Sequence, residues 1–303
     1  MGALKKVSVI LTTFNAAEHL QRTLRSILNQ DGAGSQFELE LIVVDDCSTD
    51  DTHRVLDEMA VPFLTTTSNS GGPNQGRNIG LDRATGDYIC ISDHDDVWMP
   101  DKVITLLPYL EQVPIVTSGY VIIDTVDGSR SVTRCTGQAH LYFENNATFL
   151  TKLTKSRHGQ HTFLGSIMYS SALQHIRFEE KYGMVDYDWI TRLFHQQASI
   201  EVCRPLYERY VHGRNLSYDE SYRKKDLEYS LAIINSYREA YPRETRIAYR
   251  RIHGTMARYY YVVGDMSKAR YYFRRSGPAL KTLAYYLTTF VGSGIVKRLF
   301  KVF

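Results

Sequence analysis

The chain has 303 residues, 43% of them hydrophobic and 23% charged, a composition that excludes a disordered or fibrous protein and is typical of globular domains. The net charge of +3 hides an uneven distribution. Residues 201–303 carry 20 Lys and Arg against 9 Asp and Glu, whereas residues 1–200 carry 16 against 24. The basic part is therefore expected to face an anionic membrane surface or nucleic acid.

The cysteines and the N-terminus bear on the compartment. Cys47, Cys90, Cys135 and Cys203 are scattered and form no CxxC pair. This spacing predicts neither a disulfide framework nor a zinc knuckle and favours a reducing compartment. The N-terminus passes almost at once into a strand-like run without a signal-peptide pattern, so we expect a cytoplasmic protein.

Strand-like and helix-like segments alternate over the first hundred residues. "VSVILTTFN" (7–15) starts as a continuous apolar, β-branched run, as expected for a strand buried on both faces. The following segment repeats Leu20, Leu24 and Leu28 at helical spacing. In all, strands are predicted at 7–15, 39–46, 62–67 and 87–92, and helices at 16–30, 48–60 and 76–84. Such alternation predicts an α/β fold with a mostly parallel sheet flanked by helices.

The rest of the chain changes character. Residues 101–180 mix helix, strand and loop, and 185–196 is predicted to be a helix with acidic residues at its start. From residue 219 the pattern is helical and rich in Tyr and Arg, and 258–276 is typical of a helix, a Gly-Asp turn and a second helix. We predict two domains, 1–218 and a helical, basic region 219–303.

Polar residues cluster where the four predicted strands end. The clusters are Thr12 to Asn15, Asp45 and Asp46, Asn69 to Asn78, and Asp93 to Asp96. In parallel sheets ligands bind beyond the carboxyl ends of the strands. Four clusters at equivalent strand ends predict a ligand site at this edge.

The stretch "SDHDDVW" (92–98) brings carboxylates together directly after a buried strand. A divalent cation would relieve the repulsion between Asp93 and Asp95, and Mg²⁺ or Mn²⁺ prefers such oxygen ligands, commonly with substrate phosphates. The alternative is a solvated acidic turn. Trp98 and Pro100, which close the turn, favour the metal site.

Two other clusters also admit two interpretations each. Asp45 and Asp46 either cap the following helix or accept a hydrogen bond from a base N–H. The glycine-rich stretch 69–78, with Arg77 near a helix start, is either an ordinary turn or a diphosphate-binding loop.

A third acidic pair lies at the predicted helix 185–196. Asp186 and Asp188 either interact favourably with the helix dipole, or one of them is a general base that removes a proton from a hydroxyl nucleophile.

Taken in order, these segments resemble the inverting family-two glycosyltransferases of the glycosyltransferase-A fold, a Rossmann-like sheet flanked by helices. The resemblance covers about residues 5–218. The matching segments are "VSVILTTFNAAEHLQRTLRSILNQ", "ELIVVDDCSTDDT", "NSGGPNQGRNIGLDRATGDYICISDHDDVWMPDK", "FLGSIMYS", "VDYDWITRLF" and "YERYVHGRNLS".

The resemblance implies a nucleotide-sugar donor, most simply a UDP-sugar, at the carboxyl edge of the sheet. The donor-binding positions it implies are Thr12, Phe14, Asn15, Asp46, Arg77 and Asp93. Among these, Asp46 would accept a hydrogen bond from a uracil-type N3–H. The metal positions it implies, for Mn²⁺ or Mg²⁺, are Asp95, Asp93 and the loop histidine His212.

The resemblance also implies the reaction. Asp186 matches the catalytic base, although Val185 stands where many relatives carry Glu. The implied chemistry is a single displacement with inversion, which moves a hexosyl or N-acetylhexosaminyl group to a hydroxyl of a glycan or lipid-linked acceptor in cell-surface polysaccharide synthesis. Residues 215–222 are a candidate lid. Alternatives are a sugar nucleotidyltransferase and a non-catalytic scaffold of the same fold that binds a nucleotide-sugar or glycan.

The C-terminal tail is amphipathic. Residues 282–296 are uncharged, but these 15 residues are fewer than the roughly 20 that a spanning helix needs. Lys297, Arg298 and Lys301 follow. We expect an interfacial helix on an anionic inner membrane face, with packing on the protein itself or on a second subunit as the alternative. The tail shows no nucleic-acid-binding motif, so no nucleic-acid partner is expected, and a homo-oligomer is left open.

Overall fold

The computed structural model describes residues 3–156, 158–181, 186–211, 220–277 and 279–290. The chain divides into two compact units, one of residues 1–149 and 158–215, the other of residues 150–157 and 216–303. The second unit thus includes a short segment from the middle of the chain, residues 150–157, in addition to the C-terminal region. The predicted division at 218 contains no such segment.

The first four strands and three helices follow the predicted alternation. The strands are β1 (Lys5–Thr13), β2 (Phe37–Asp45), β3 (Phe63–Thr65) and β4 (Tyr88–Asp93), and the helices are α1 (Leu20–Leu28), α2 (Thr52–Glu58) and α3 (Asn74–Arg83). Strand β1 pairs in parallel with β2 and with β4, and β2 pairs in parallel with β3. The predicted parallel core is therefore confirmed, with helices α1 and α2 shorter than predicted.

The later part of the first unit converts this parallel core into a mixed sheet. Its elements are β5 (Val97–Trp98), α4 (Lys102–Leu106), β6 (Ile115–Asp124), β7 (Arg130–Thr133), β8 (His140–Phe143), β9 (Met168–Ser170), α6 (Tyr187–Leu193) and β10 (Ser199–Val211). Helix α5 (Ala147–Leu153) begins in this unit, and its residues from 150 onward belong to the second. Within the described residues the main path of the sheet runs β3-β2-β1-β4-β9-β6-β10-β5. Strand β9 is antiparallel to both of its neighbours, so the sheet as a whole is mixed rather than mostly parallel.

Helix α3 packs unusually close to β1 through two glycines one turn apart. A Cβ on Gly80 would lie 2.3 Å from the Ile10 side chain, and one on Gly76 would lie 3.0 Å from Thr12. Ile10 is fully buried. Only a residue without a side chain allows this approach, which sets the height of α3 above the sheet.

A disulfide joins Cys135 to Cys203, with their Cα atoms 4.7 Å apart. The prediction of unlinked cysteines is wrong for this pair. The two residues are 68 positions apart in the sequence, and only the fold brings them together, so spacing alone does not reveal the bond. Cys47 and Cys90 are free thiols.

The second unit is helical, with α7 (Glu220–Ser236), α8 (Pro242–Val263), α9 (Met266–Arg275) and α10 (Leu280–Thr288). Gly264 ends α8 at φ 93°, a left-handed conformation that glycine adopts at little cost. The Asp265 side chain then caps α9 by accepting from the Lys268 amide. These residues confirm the predicted helix, Gly-Asp turn and helix. Aromatic side chains fill the core, among them Tyr260, Tyr261, Phe273 and Tyr285.

The described part of the tail is one short helix and the two residues after it. Helix α10 exposes Leu280, Leu283, Leu287 and, just beyond its end, Phe290. No helix within the described residues is long and apolar enough to cross a membrane. The basic positions Lys297, Arg298 and Lys301 lie outside the described residues.

Candidate functional site

Strands β1, β2 and β4 end at the same edge of the sheet. Their register pairs Thr13 with Asp45 and Thr12 with Asp93. The next residue, Asp46, donates its amide to the Thr13 carbonyl at 2.8 Å. The structure thus brings together the polar ends of three strands that are 30 to 80 residues apart in the sequence.

Asp46 is almost fully buried and organises the loop that follows β3. Its carboxylate accepts hydrogen bonds from the Thr66 hydroxyl at 2.8 Å and from the Ser70 amide and hydroxyl at 2.9 to 3.0 Å. Because Ser70 lies in the glycine-rich stretch 69–78, Asp46 positions the loop that leads to α3 and Arg77. A contact with a nucleotide base is not needed to explain why this carboxylate is here.

Asp45 forms the matching contact under the β1–α1 turn. Its carboxylate accepts from Thr13 Oγ1 at 2.8 Å and from the Ser48 amide at 2.9 Å, and it lies 2.7 Å from His53 Nε2. Burial would raise the pKa of the Asp45 carboxyl, but the bonds from Ser48, His53 and Thr13 outweigh it and lower the pKa. Asp45 is therefore a structural anion at the edge of the site.

Phe14 and Asn15 lie in that turn. Asn15 adopts a left-handed φ of 46°, which Asn tolerates better than most residues. Its amide donates to Ser48 Oγ, and its side-chain oxygen accepts from the Thr49 amide. Phe14 is 42% exposed. Asn15 thus fixes the turn, and the Phe14 ring stays accessible to a ligand.

Arg77 joins α3 to the acidic turn. It is 4% exposed, and its guanidinium donates to Asp93 Oδ1 at 2.8 Å and to Asn74 Oδ1 at 3.0 Å. The guanidinium carbon also lies 5.1 Å from the centre of the Phe178 ring. Within the described ranges its Nε has no partner. A buried guanidinium with a spare donor suits an anionic ligand.

The acidic turn holds three aspartates in different environments. Asp93 and Asp95 are partly exposed, whereas Asp96 is buried. Burial, followed by the negative charges of Asp93 and Asp95, raises the pKa of Asp96 well above its usual range. The backbone of the turn is held by helix α1, because Thr23 Oγ1 donates to the His94 carbonyl at 2.8 Å.

This turn fits a divalent ion that is shared with a substrate. Asp93 and Asp95 supply two accessible carboxylates, the number that Mg²⁺ commonly takes from a protein when phosphates complete its shell. No group of three or more His, Cys, Asp or Glu that could hold a metal is found in the part of the chain that the structure describes. The carboxylates alone would form an incomplete shell, which a diphosphate would complete.

A buried lysine, Lys102, lies behind the turn and was not singled out from the sequence. Lys102 Nζ donates to the Gly165 carbonyl at 2.6 Å and lies 3.5 Å from the centre of the Trp98 ring. Burial lowers its pKa to about 8, while the nearby Asp96 opposes that shift. In the sequence, Lys102 shares a helical face with Leu106, which was the available signal of burial.

The two acidic residues at α6, Asp186 and Asp188, have different surroundings. Asp188 Oδ2 accepts from Arg192 Nε at 2.8 Å and lies 2.5 Å from its NH2 group, an ion pair within the helix. Asp186 stands at the N-cap position, but its side chain does not cap the helix. The predicted helix is thus confirmed. Val185 and His212, together with most of the predicted lid, lie outside the described residues.

A cavity of about 520 Å³ opens at the other end of β4. Its lining includes Lys5, Thr85, Asp87 and Ser170 and contains none of the sequence-predicted site residues. Since ligands of open α/β sheets bind at the carboxyl edge, we assign the site to the residues described above rather than to this cavity.

Comparison with known families decides the class of the protein. The profile of Glycosyl transferase family 2 matches residues 8–174, more than half of the chain. The chain belongs to glycosyltransferase family 2. The matched span includes Thr12, Asp46, Arg77, Asp93 and Asp95, that is, the whole carboxyl edge described above.

Curated relatives of this family-2 chain match it over shorter stretches. It is 35% identical over 97 residues to the poly(ribitol-phosphate) beta-N-acetylglucosaminyltransferase TarS of Staphylococcus aureus, covering 31% of the chain and 17% of TarS. It is 36% identical over 109 residues to the GalNAc(5)-diNAcBac-PP-undecaprenol beta-1,3-glucosyltransferase of Campylobacter jejuni, covering 34% of each protein. The matches therefore span 17% and 34% of these two relatives.

Solved structures extend the likeness to the fold of nearly the entire chain. The crystal structure of S. aureus TarS 1-349 in complex with UDP-GlcNAc aligns with a TM-score of 0.59 at 17% identity, covering 94% of this chain and 90% of that one. The mannosyltransferase PcManGT from Pyrobaculum calidifontis, in complex with GDP-Man and Mn²⁺, aligns with a TM-score of 0.56 at 17% identity, covering 99% and 82%. These likenesses establish the glycosyltransferase-A-like fold expected from the sequence.

Proposed function

We propose that this family-2 chain transfers a sugar from a UDP-sugar to a hydroxyl group of a glycan or lipid-linked acceptor, in a metal-dependent reaction with inversion. The observation that carries the proposal is the ion pair between the buried Arg77 and the partly exposed Asp93 at the carboxyl edge of the parallel strands. It puts a guanidinium next to an acidic turn, where a nucleoside diphosphate meets both a cation and a metal-binding carboxylate.

The donor side follows from these contacts. Thr12 and the exposed Phe14 ring would contact the nucleoside, and Asp46 supports the loop that approaches the diphosphate; its direct contact with the base is part of the proposal. Asp93 and Asp95 would hold Mn²⁺ or Mg²⁺, with His212 as a further candidate ligand. When bound, the ion would neutralise negative charge on the leaving diphosphate. Arg77 would bind the same phosphates. The UDP-GlcNAc complex of the TarS structure supports uridine as the nucleoside.

On the acceptor side, Asp186 would act as the general base. It would take the proton of the acceptor hydroxyl as that oxygen bonds to the anomeric carbon from the face opposite the diphosphate. The bond between the anomeric carbon and the phosphate oxygen breaks in the same step, so the configuration inverts and UDP leaves. Asp186 precedes the first turn of α6, and Asp188 on the same helix forms an ion pair with Arg192, which makes it a matched comparison for this role.

The second unit supports a lipid-linked acceptor. Leu280, Leu283 and Leu287 form an exposed row along α10, with Phe290 next to it. Arg270 and Arg274 of α9 contact the same helix, since Arg270 donates to the Thr289 carbonyl and Arg274 to the Tyr286 hydroxyl. An apolar row beside cations is typical of a helix that lies on an anionic lipid surface. We therefore propose a peripheral location at the cytoplasmic face of the membrane. The scattered cysteines no longer support a cytoplasmic location, because Cys135 and Cys203 form a disulfide.

The proposal is tested with two variants that should fail in opposite ways. Asp186→Asn should bind UDP with Mn²⁺ as the wild type does, but release UDP from UDP-sugars in the presence of cell-envelope glycans at least about 100-fold more slowly. Asp95→Asn should lose the Mn²⁺ dependence of UDP binding. Calorimetric titration of UDP with and without Mn²⁺, and an assay of UDP release, give both readouts.

The matched control is Asp188→Asn on the same helix, which should retain transfer because its carboxylate is engaged by Arg192. Unchanged UDP release by Asp186→Asn would contradict its role as the base. Wild-type UDP affinity that does not respond to Mn²⁺ would contradict the metal site.

A further inference from the structure

A buried glutamate holds a histidine on the half of the sheet that the donor residues do not use. Glu201 in β10 is 1% exposed. Its carboxylate lies 2.5 Å from His161 Nδ1 and accepts from the amides of His161 at 3.1 Å and Cys135 at 3.2 Å. No Lys or Arg of the described ranges forms an ion pair with it. Burying a carboxylate is costly unless hydrogen bonds compensate it, and these three contacts do so.

The contact with Glu201 determines how His161 can act. With Nδ1 directed at the carboxylate, the other ring nitrogen, Nε2, points away from it, and the side chain is 30% exposed. Within the described residues no hydrogen bond to Nε2 is formed. An imidazole nitrogen can exchange a hydrogen bond with a hydroxyl group, which both donates and accepts. His161 therefore presents a fixed, accessible ring nitrogen.

Two aromatic rings and a guanidinium follow this histidine in a chain of contacts. The Tyr120 ring lies edge-on to His161, with ring centres 6.3 Å apart, and contacts Phe163 at 5.2 Å. The Arg209 guanidinium carbon lies 4.1 Å from the centre of the partly exposed Phe163 ring. The surface thus combines an apolar ring, an imidazole nitrogen and a cation with several donors. These are groups that can contact the carbon face, the hydroxyl groups and the oxygens of a sugar.

The same rings lead to the acidic turn. Tyr120 contacts Tyr207 with ring centres 5.4 Å apart. A Cβ added at Gly165 would lie 3.2 Å from both the Tyr207 ring and Asp96 Oδ2. In the sheet, the donor residues lie at β1, β2 and β4, whereas these aromatic residues lie at β6 and β10 or next to them. The acidic turn stands between the two groups.

We propose that His161, Phe163 and Arg209 form the acceptor subsite, which takes the pyranose ring that carries the attacking hydroxyl. His161 Nε2 forms a hydrogen bond with a hydroxyl of that ring, and Phe163 packs on its carbon face. Glu201 is a positioning residue that fixes the imidazole. This assignment rests on the proposed function and specifies its acceptor side.

The test measures binding of simple sugars to the full chain with UDP and Mn²⁺ present. Saturation-transfer NMR is carried out with p-nitrophenyl glycosides of glucose, galactose, mannose, N-acetylglucosamine and N-acetylgalactosamine, each up to 20 mM. We expect at least one glycoside to bind the wild type, His161→Ala and Phe163→Ala to weaken it at least tenfold, and His161→Gln to recover part of the loss. UDP affinity should stay within twofold.

The control is His140→Ala in β8, which removes another histidine that contacts a tyrosine ring but has no carboxylate partner among the residues the structure describes. It should leave glycoside binding unchanged. Lower melting temperatures with unchanged glycoside affinity in both His161→Ala and Phe163→Ala would show that the cluster is only structural and overturn the assignment. So would the failure of every glycoside to bind the wild type. Loss of Mn²⁺-dependent UDP binding by the wild type would instead overturn the proposed function.

Discussion

The two units differ in where they keep their charges. Among the described residues, the first unit buries six charged side chains: Asp45, Asp46, Arg77, Asp96, Lys102 and Glu201. The buried polar residues of the second unit, again among those described, are Ser230, Thr245, His253 and Thr289, and none of them is Asp, Glu, Lys or Arg. Burial lowers the pKa of His253, which favours its neutral form.

The buried charges of the first unit suit catalysis, whereas the exposed charges of the second unit suit contact with another surface. Buried charges cost stability unless they are paired, so a fold that keeps several of them at one edge obtains function in return. The second unit has a conventional aromatic core and leaves its many basic side chains in solvent. The comparison predicts that substitutions of the same kind will have larger effects in the first unit.

The largest effect on stability is expected from a helix glycine. Gly80→Ala should lower the free energy of unfolding by about 1–3 kcal/mol, because the new Cβ would overlap the buried Ile10, and this outweighs the gain in helix propensity. Gly254→Ala in α8 should change it by less than about 0.5 kcal/mol, since the gain in helix propensity is offset by a tight contact of the new Cβ with Ser276 at 3.3 Å. Urea unfolding of both variants measures the difference. Equal losses of unfolding free energy in the two variants would contradict the predicted difference between the units.

A smaller effect is expected at Glu40 in β2. The hydrogen bonds that Glu40 accepts from Lys6, Ser8 and Thr85 outweigh the effect of burial and lower its pKa to about 2. A lowered carboxyl pKa stabilises the fold above the unfolded-state value near 4.5, and the stabilisation is lost as the pH falls toward 2.

Glu40→Gln should therefore lower the free energy of unfolding at pH 7 by about 0.5–1 kcal/mol, because solvent screens this partly exposed carboxylate, and flatten the pH dependence between 4.5 and 2. Glu220→Gln in the second unit removes an exposed ion pair with Lys224 and should change little. Thermal unfolding across this pH range compares the two. A wild-type acid transition retained in Glu40→Gln would contradict the assignment.

The smallest effect on stability is expected on α10, where the readout is lipid binding. Leu283→Ser and Leu287→Ser alter exposed side chains, so the melting temperature should hardly change. Sedimentation with phosphatidylglycerol vesicles should nevertheless show weaker binding by the double variant, and phosphatidylcholine vesicles should bind neither protein well. Val263→Ser, at an exposed apolar position of α8, is the control. Equal vesicle binding by the wild type and the double variant would sink the proposed membrane contact.

Local patterns predicted the parallel half of the first unit. The apolar run of β1 and the leucine spacing of α1 are properties of neighbouring residues, and the polar strand ends followed from topology. The three-residue strand β9 has no such pattern, because β4 and β6 on either side fix it in place. Its antiparallel direction made the whole sheet mixed.

For the candidate site, too, local patterns predicted which residues are involved but not their long-range contacts. Asp93 and Arg77 were named from the sequence, but their ion pair required the register of β4 and the height of α3. The contacts of Glu201 with His161 and of Lys102 with Gly165 join residues 40 and 63 positions apart. Burial of a charge depends on such distant partners, so a sequence pattern gave little sign of it.

The close contact of α3 with β1 has a consequence for the donor edge. Gly80 lies three residues after Arg77, nearly one helical turn along α3, and its missing side chain determines how far this helix stands from the sheet. The reach of the guanidinium toward Asp93 is thus set by a residue that touches no ligand. The spacing between the Arg77 guanidinium and the Asp93 carboxylate therefore depends on the missing Cβ of Gly80.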